Sequence, residues 1–182
     1  MLDLEQIYRI LDYSYNQRDR QVGESICLAI CPPLSLAQQF PMEGKAGEDN
    51  SPPHVTVAYL GSMGADKEKL VSTVCEMVTE QTNPIHMKVG KLNKFLSDSH
   101  SVIHSQIESQ ALHEYRDTLK AALGMAGVEI DSKHPDYKPH ITLEYVGKDK
   151  DPKFSHLRPK GEWTAQNAWL WGFSQPYILQ FK

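Results

Sequence analysis

Residues 53–61 read PHVTVAYLG, and residues 139–147 read PHITLEYVG. The two stretches share proline, histidine, threonine, tyrosine and glycine at the same positions, and three further positions exchange one apolar residue for another. The lone mismatch sets Ala58 against Glu144. Many apolar patterns can fill a core, so packing alone gives no reason to repeat histidine and threonine at one fixed spacing. The repeat therefore predicts a duplicated functional element.

Both stretches have the pattern of a half-buried β-strand. Successive side chains of a strand point to opposite faces, so His54 shares a face with Thr56, and His140 shares a face with Thr142. The apolar residues between them are expected to pack on the other face. A proline before each histidine suits the first residue of a strand, where its fixed φ and missing N–H remove no ladder bond. Each strand is thus predicted to present an imidazole and a hydroxyl together.

The rest of the chain predicts an α+β fold around these strands. Helical spacing of apolar residues predicts helices over residues 3–16, from a cap at Asp66 onwards, and over residues 109–126. Further strands are predicted at residues 23–31, 85–95, 100–107, 167–173 and 177–181, with a bulge at Gly90. This order gives two β-rich halves, each with a repeat strand and a helix. We expect an internally duplicated domain over residues 21–182, with two lobes related by a pseudo-two-fold axis around a central cleft and helices outside. Residues 1–20 are predicted to be an N-terminal helical extension.

Composition and charge argue against two classes of partner. The chain has 182 residues, about one domain's worth, with a formal net charge of −4 and a sequence pI near 6.0. Binding of long nucleic acid needs a broad basic footprint, which this charge argues against. No stretch has the roughly 18 apolar residues of a membrane span, and the first residues lack the pattern of a secretory signal. Three cysteines without a C-x-x-C pattern are expected to fill the core in a reducing cytoplasm.

Two imidazoles that face each other across a cleft suit phosphodiester chemistry. Histidine titrates near neutrality, so one ring can take a proton from the attacking oxygen while the other gives a proton to the leaving oxygen. Adjacent threonine hydroxyls can donate hydrogen bonds to the non-bridging phosphate oxygens. A zinc site needs three or four convergent ligands and each repeat strand supplies one, so no metal and no other cofactor is predicted. The candidate catalytic residues are His54, Thr56, His140 and Thr142.

The pair H-V-T-V (54–57) and H-I-T-L (140–143) resembles the two H-x-T/S-x motifs that define the two-histidine (2H) phosphoesterases. LigT-like RNA 2′,3′-cyclic phosphodiesterases and several phage-encoded proteins belong to that superfamily. A lone H-x-T is weak evidence, whereas two copies with shared proline, tyrosine and glycine, 140 − 54 = 86 residues apart, are specific. The resemblance covers residues 22–181. It implies a LigT-like fold, metal-free work on nucleotide phosphates, the two histidines as acid–base pair and the two threonines as phosphate donors.

The resemblance also implies a class of substrate. The extended forms of both motifs look most like phage versions, some of which destroy cyclic-oligonucleotide alarm signals of bacterial defence (the anti-CBASS type). We therefore expect a small cyclic nucleotide or cyclic oligonucleotide as substrate, and a cytoplasmic protein, in the host cytoplasm if phage-encoded. RNA ends that carry a 2′,3′-cyclic phosphate are the alternative substrate. A module that sequesters a nucleotide without turnover is the alternative function.

Three residues outside the motif pairs are predicted to contact substrate. By strand alternation Glu144 points to the histidine face, where its carboxylate can orient a histidine or bind a base edge or ribose, with simple exposure to solvent as the alternative. Tyr137 and Phe95 can stack on a base, with ordinary packing as the alternative. The same alternation sends Tyr59 and Tyr145 to the opposite face. Structural roles are predicted for the remaining large aromatic and histidine residues singled out, which are Trp169, Trp171, His86, His100, His104, His113, His134 and His156.

Overall fold

The computed structural model describes residues 26–41, 52–97, 100–130, 136–172 and 177–182, which are built around one antiparallel sheet. The predicted helix over residues 3–16, the N-terminal extension and His134 lie outside the described residues. The strands are β1 (Ile26–Ile30), β2 (Val55–Gly61), β3 (Ile85–Leu96), β4 (His100–Glu108), β5 (His140–Gly147), β6 (Glu162–Ala165), β7 (Asn167–Trp171) and β8 (Tyr177–Gln180).

The two repeat strands lie side by side at the centre of the sheet. The strand order is β6-β3-β4-β5-β2-β1-β7-β8, with every neighbouring pair antiparallel. Each repeat strand is therefore the innermost strand of one half of the sheet. The halves are interleaved along the chain, because the C-terminal strands β7 and β8 join the half that holds the first repeat. The α+β fold class is confirmed, and the internal duplication stays a prediction.

Three helices occur among the described residues: α1 (Leu34–Ala37), α2 (Ala65–Glu80) and α3 (Gln110–Met125). Helix α3 begins at the N-cap residue Ser109, whose hydroxyl accepts a 3.1 Å hydrogen bond from the backbone N–H of Leu112. The prediction that Asp66 caps α2 is wrong, since Gly64 is its N-cap residue and Asp66 lies in the first turn. A carboxylate there is still favourable, because it faces the positive end of the helix dipole.

The core lies between the helices and one face of the sheet. Val55 and Val57 of β2, with Ile141 and Leu143 of β5, are buried in one cluster with apolar residues of both long helices. A buried 2.7 Å hydrogen bond between the hydroxyls of Thr79 and Tyr115 joins α2 to α3. Because this face is filled, the motif histidines and threonines are left for the opposite face.

Strand β6 is not predicted from the sequence. Residues 162–165 (EWTA) form β6, which pairs with β3 and alternates between exposed and buried side chains. Four residues are too few for their periodicity to be distinguished from a loop. The bulge predicted at Gly90 is confirmed by a register shift between Val89 and Leu92. None of the described helices is both long and apolar enough to cross a bilayer.

Candidate active site

The junction of β2 and β5 brings the four motif residues together. Val55 is the register partner of Ile141 in this antiparallel pair. The flanking positions then set His54 opposite Thr142 and Thr56 opposite His140. Side chains directly opposite each other have Cβ atoms about 4.5–5.5 Å apart, and diagonal neighbours are about 7–8 Å apart. These four half-buried residues, which we call the His–Thr square, therefore lie side by side on the face of the sheet opposite the core.

Both motif histidines are held in the same orientation by the backbone. Nδ1 of His54 lies 2.8 Å from the carbonyl oxygen of Pro52, and Nδ1 of His140 lies 2.7 Å from that of Lys138. A carbonyl oxygen only accepts hydrogen bonds, so Nδ1 must carry the proton in each ring. The lone pair of each neutral imidazole is therefore on Nε2. Nε2 is therefore the basic nitrogen of each neutral ring.

Two aromatic rings contact His140 and reduce its exposure to solvent. The ring of Phe95 meets it edge to face, with centroids 5.0 Å apart, and the ring of His104 lies at the same distance on another side. Burial lowers the pKa of His140 below its usual value of 6.5, and the hydrogen bond to Lys138 only partly opposes this shift. His140 is therefore biased toward the neutral form, which can act as a base.

His104 is a third histidine at the site, although the sequence pattern predicts a structural role for it. It is 1% exposed, it stacks on Phe95 with centroids 3.8 Å apart, and its Nδ1 lies 3.2 Å from the carbonyl oxygen of Val102. Burial lowers its pKa to about 4, and the charge of His140 adds to this effect. The signal that this residue belongs to the site is its register partner Thr142, which depends on strand pairing rather than on local sequence.

The lowered pKa of His104 predicts a loss of stability in acid. The unfolded chain binds a proton on this histidine near pH 6.5, whereas the folded protein does so only near pH 4. Protonation therefore favours unfolding as the pH falls from 6.5 to 4, and the free energy of unfolding should drop by about 2 kcal/mol between pH 7 and pH 5. Urea unfolding of wild type and His104→Phe measures this share.

The drop should be smaller in His104→Phe, which keeps a flat ring on Phe95 and loses the titrating group. His156→Gln, at an exposed histidine, serves as the control and should keep the wild-type pH dependence. An unchanged pH dependence in His104→Phe would show that His104 is not the group responsible.

Trp171 contacts His54 as Phe95 contacts His140. Its ring meets the imidazole edge to face, with centroids 4.7 Å apart, and it is half-buried. Trp169 is buried as predicted, on the same face of β7 as Trp171, because it pairs with Ala29, the partner of Thr56. Trp171 lies on β7, two strands out from β2, and Phe95 lies on β3, two strands out from β5. Each motif histidine thus has one aromatic neighbour from the corresponding strand of its own half.

A bulge at the same place in both repeats reverses the alternation that the sequence predicts. In β2 the register with β1 shifts so that Thr56 pairs with Ala29 and Ala58 with Leu28. In β5 the register with β4 shifts between Thr142 and Glu144 in the same way. Such a bulge adds one residue to one strand, so the residues beyond it change face.

The bulges carry the repeated tyrosines to the histidine face, and the prediction that they pack on the opposite face is wrong. Tyr59 pairs with Cys27 and is 42% exposed, and Tyr145 pairs with Val102 and contacts the ring of His100 at 5.9 Å. Paired residues of an antiparallel ladder point to the same face.

The same bulge turns Glu144 away from the histidines. It pairs with Ile103, on the core side of β4, and is only 5% exposed. Its Oε2 accepts hydrogen bonds of 2.8 and 3.0 Å from the backbone N–H groups of Lys153 and Phe154. The prediction that alternation directs Glu144 into the cleft is therefore wrong. This geometry favours anchoring of the loop after β5, and substrate binding by Glu144 stays a prediction.

Tyr137 is bound to the backbone of the first motif. Its hydroxyl donates a 2.9 Å hydrogen bond to the carbonyl oxygen of Thr56, and the guanidinium of Arg116 lies 4.4 Å over its ring. The structure places Phe95 against His140, where stacking on a base stays a prediction. Among the described residues, no group of three or more histidine, cysteine or acidic side chains is arranged to hold a metal ion.

Comparison with known proteins gives the family. The model of the 2′-5′ RNA ligase superfamily matches residues 35–175, which is most of the chain and includes both repeats. The protein belongs to the 2′-5′ RNA ligase superfamily. The resemblance to LigT-like 2H phosphoesterases is thereby confirmed, and membership in a superfamily of phosphodiesterases supports a hydrolase activity. No curated protein matches the chain significantly in sequence.

Several solved structures of the superfamily share the fold. Apo LigT of E. coli is 16% identical with a TM-score of 0.59, and the alignment covers 89% of this chain and 96% of LigT. The protein TT0787 of Thermus thermophilus is 17% identical with a TM-score of 0.63, at coverages of 87% and 95%. Usb1 of Kluyveromyces marxianus is 9% identical with a TM-score of 0.59, at 88% and 99%. At these identities the comparison shows the fold alone.

Proposed function

We propose that the protein is a metal-independent phosphodiesterase that cleaves a small nucleotide by acid–base catalysis with two histidines. The observation that carries this proposal is the His–Thr square, in which His54 and His140 lie at diagonal corners. Both rings donate Nδ1–H to a backbone carbonyl, so Nε2 is the nitrogen of each ring that can exchange a proton with the substrate in this proposal. With the two histidines at diagonal corners, one can take a proton from the attacking oxygen while the other gives a proton to the leaving oxygen, which supports this proposal.

His140 is the base in this proposal and His54 the acid. The lowered pKa of His140 keeps its Nε2 unprotonated, so it takes the proton of the attacking oxygen, from water or from a ribose 2′-hydroxyl. His54 gives a proton from Nε2 to the leaving oxygen as the phosphorus–oxygen bond breaks. The hydroxyls of Thr56 and Thr142 donate hydrogen bonds to the non-bridging oxygens, whose negative charge grows in the transition state.

The substrate that we favour is a cyclic nucleotide or cyclic oligonucleotide signal, with a role against bacterial defence in a phage. This follows from the likeness of the extended motifs to phage versions. The net charge of −4 supports a small ligand over a long nucleic acid. The aromatic residues beside the two histidines, Phe95 and Trp171, provide apolar surface for bases on both sides of a phosphate. LigT itself has been solved with 3′-AMP, with phosphate and with ATP.

One incubation in EDTA tests the function and separates the alternatives. The panel contains cyclic mono-, di- and trinucleotides and an RNA that ends in a 2′,3′-cyclic phosphate, and mass spectrometry identifies the products. Turnover of a cyclic nucleotide supports the proposal, and turnover of the RNA end alone supports the alternative substrate. Binding of a panel member without any product would establish the sequestering module instead and contradict catalysis.

A further inference from the structure

Few backbone hydrogen-bonded pairs join β2 to β5, the two strands that carry the candidate catalytic residues. Between β2 and β5 the register comprises the single pair Val55 and Ile141, whereas β5 pairs with β4 along its length, from His100 opposite Gly147 to Gln106 opposite His140. The separation of the two motif histidines therefore depends on contacts other than a β-ladder.

Two side chains from the second half bind the backbone of the first motif. Beyond the Val55 pair, the next two carbonyl oxygens of β2 accept hydrogen bonds from them. The hydroxyl of Tyr137 donates to Thr56 at 2.9 Å, and Nε of Arg116 donates to Val57 at 3.1 Å. The guanidinium of Arg116 also lies over the Tyr137 ring, so the two side chains support each other.

Tyr137 is built to be a permanent donor. The imidazole of His113 meets its ring edge to face, with centroids 5.3 Å apart, while the guanidinium of Arg116 covers one face. Burial raises the pKa of the phenol well above its usual value of 10, although the Arg116 charge opposes this shift. The hydroxyl therefore keeps its proton, and with it the hydrogen bond, throughout the range in which histidines titrate.

Lys138, the next residue in the chain, binds the histidine of the second motif. The carbonyl oxygen of Lys138 accepts the Nδ1–H of His140, and the carbonyl of Pro139 accepts a 2.9 Å hydrogen bond from Ile107. The dipeptide Tyr137–Lys138 thus contacts the backbone of the first motif with one residue and aligns the histidine of the second motif with the other. The first repeat has Ser51 where the second has Tyr137, so that position of the first repeat has no phenol.

We propose that Tyr137, supported by Arg116, is a positioning residue that sets the distance between the two halves of the active site. This inference rests on the proposed function of the His–Thr square. It also replaces base stacking as the main role of Tyr137, because the ring has Arg116 over one face and its hydroxyl is bound to Thr56. A displacement of about 1 Å at a reacting centre can lower a rate about 100-fold, so a single hydrogen bond here matters.

Tyr137→Phe tests the proposal because it removes only the hydroxyl and leaves the ring for stacking. We expect kcat on the substrate found by the panel to fall about 10- to 100-fold. Tyr115→Phe is the matched control, since it also removes a buried tyrosine hydrogen bond, to Thr79, away from the motifs. Its kcat should stay within about twofold of wild type, even where the two variants lose similar thermal stability.

A second readout needs no substrate. The ring resonances of His54 and His140 in NMR spectra should move in Tyr137→Phe and stay in place in Tyr115→Phe. Should wild type hydrolyse nothing while these shifts still differ, the proposed function fails and the positioning role of Tyr137 stands. Should Tyr137→Phe match Tyr115→Phe in both rate and ring resonances, the positioning role is overturned, whatever the enzyme hydrolyses.

Discussion

His140→Ala is expected to lower kcat/KM by about 100- to 10,000-fold, and His54→Ala by a similar factor, because each removes one of the two proton-transfer groups. The rings occupy diagonal corners of the His–Thr square, and each donates Nδ1–H to a backbone carbonyl, which places the lone pair of the neutral ring on Nε2. Neither the Lys138 nor the Pro52 carbonyl can replace the missing function, since both only accept hydrogen bonds. Steady-state kinetics in EDTA measure the effect.

His86→Ala is the control for these two variants. His86 is an exposed histidine on β3, near Thr164 and Glu162 of β6 rather than near the motifs. Its loss should leave kcat/KM within about twofold of wild type. Circular dichroism and thermal unfolding should show all three variants folded. Full activity in both His54→Ala and His140→Ala would refute the assignment of catalysis to the square.

Thr56→Val and Thr142→Val are expected to lower kcat by about 100- to 1,000-fold each, because each removes one hydrogen bond that strengthens as charge grows on the phosphate oxygens. Valine keeps the size and β-branched shape of threonine, so both strands should persist. The effect should appear in kcat more than in KM, since the lost interaction is stronger in the transition state than in the bound substrate.

Thr164→Val provides the matched control for the two threonine variants. Thr164 is an exposed strand threonine on β6, at the outer edge of the sheet. Its replacement should leave both kinetic constants unchanged. If Thr56→Val and Thr142→Val behaved like Thr164→Val, the threonines would have no part in stabilising the phosphate.

The repeated sequence predicts the two strands, and it predicts that each histidine shares a face with a threonine, since both features depend on local alternation. The sequence does not predict which strands are neighbours in the sheet, because the pair Val55 and Ile141 joins residues far apart in the chain. The duplicated sequence predicted that the two motifs would meet, and the structure brings them together at the centre of the sheet. It did not predict that β7 and β8 return to the first half.

Two features of the site escaped the sequence for different physical reasons. The bulges after Thr56 and Thr142 break the two-residue period, so strict alternation predicts the wrong face for Tyr59, Tyr145 and Glu144. His104 looked like one more strand histidine, and its contact with His140 follows from the pairing of β4 with β5. A bulge leaves no local mark in these residues, and a register is a property of two strands rather than one.

A crystal structure of the metal-free protein with inorganic phosphate tests the central claim most directly. The measured quantities are the distances from one phosphate to Nε2 of His54 and His140 and to Oγ1 of Thr56 and Thr142. We predict that all four atoms lie within hydrogen-bond distance of the same phosphate group. A phosphate held by one motif alone, with the second histidine ring beyond reach, would contradict the claim that the two repeats form a single active site.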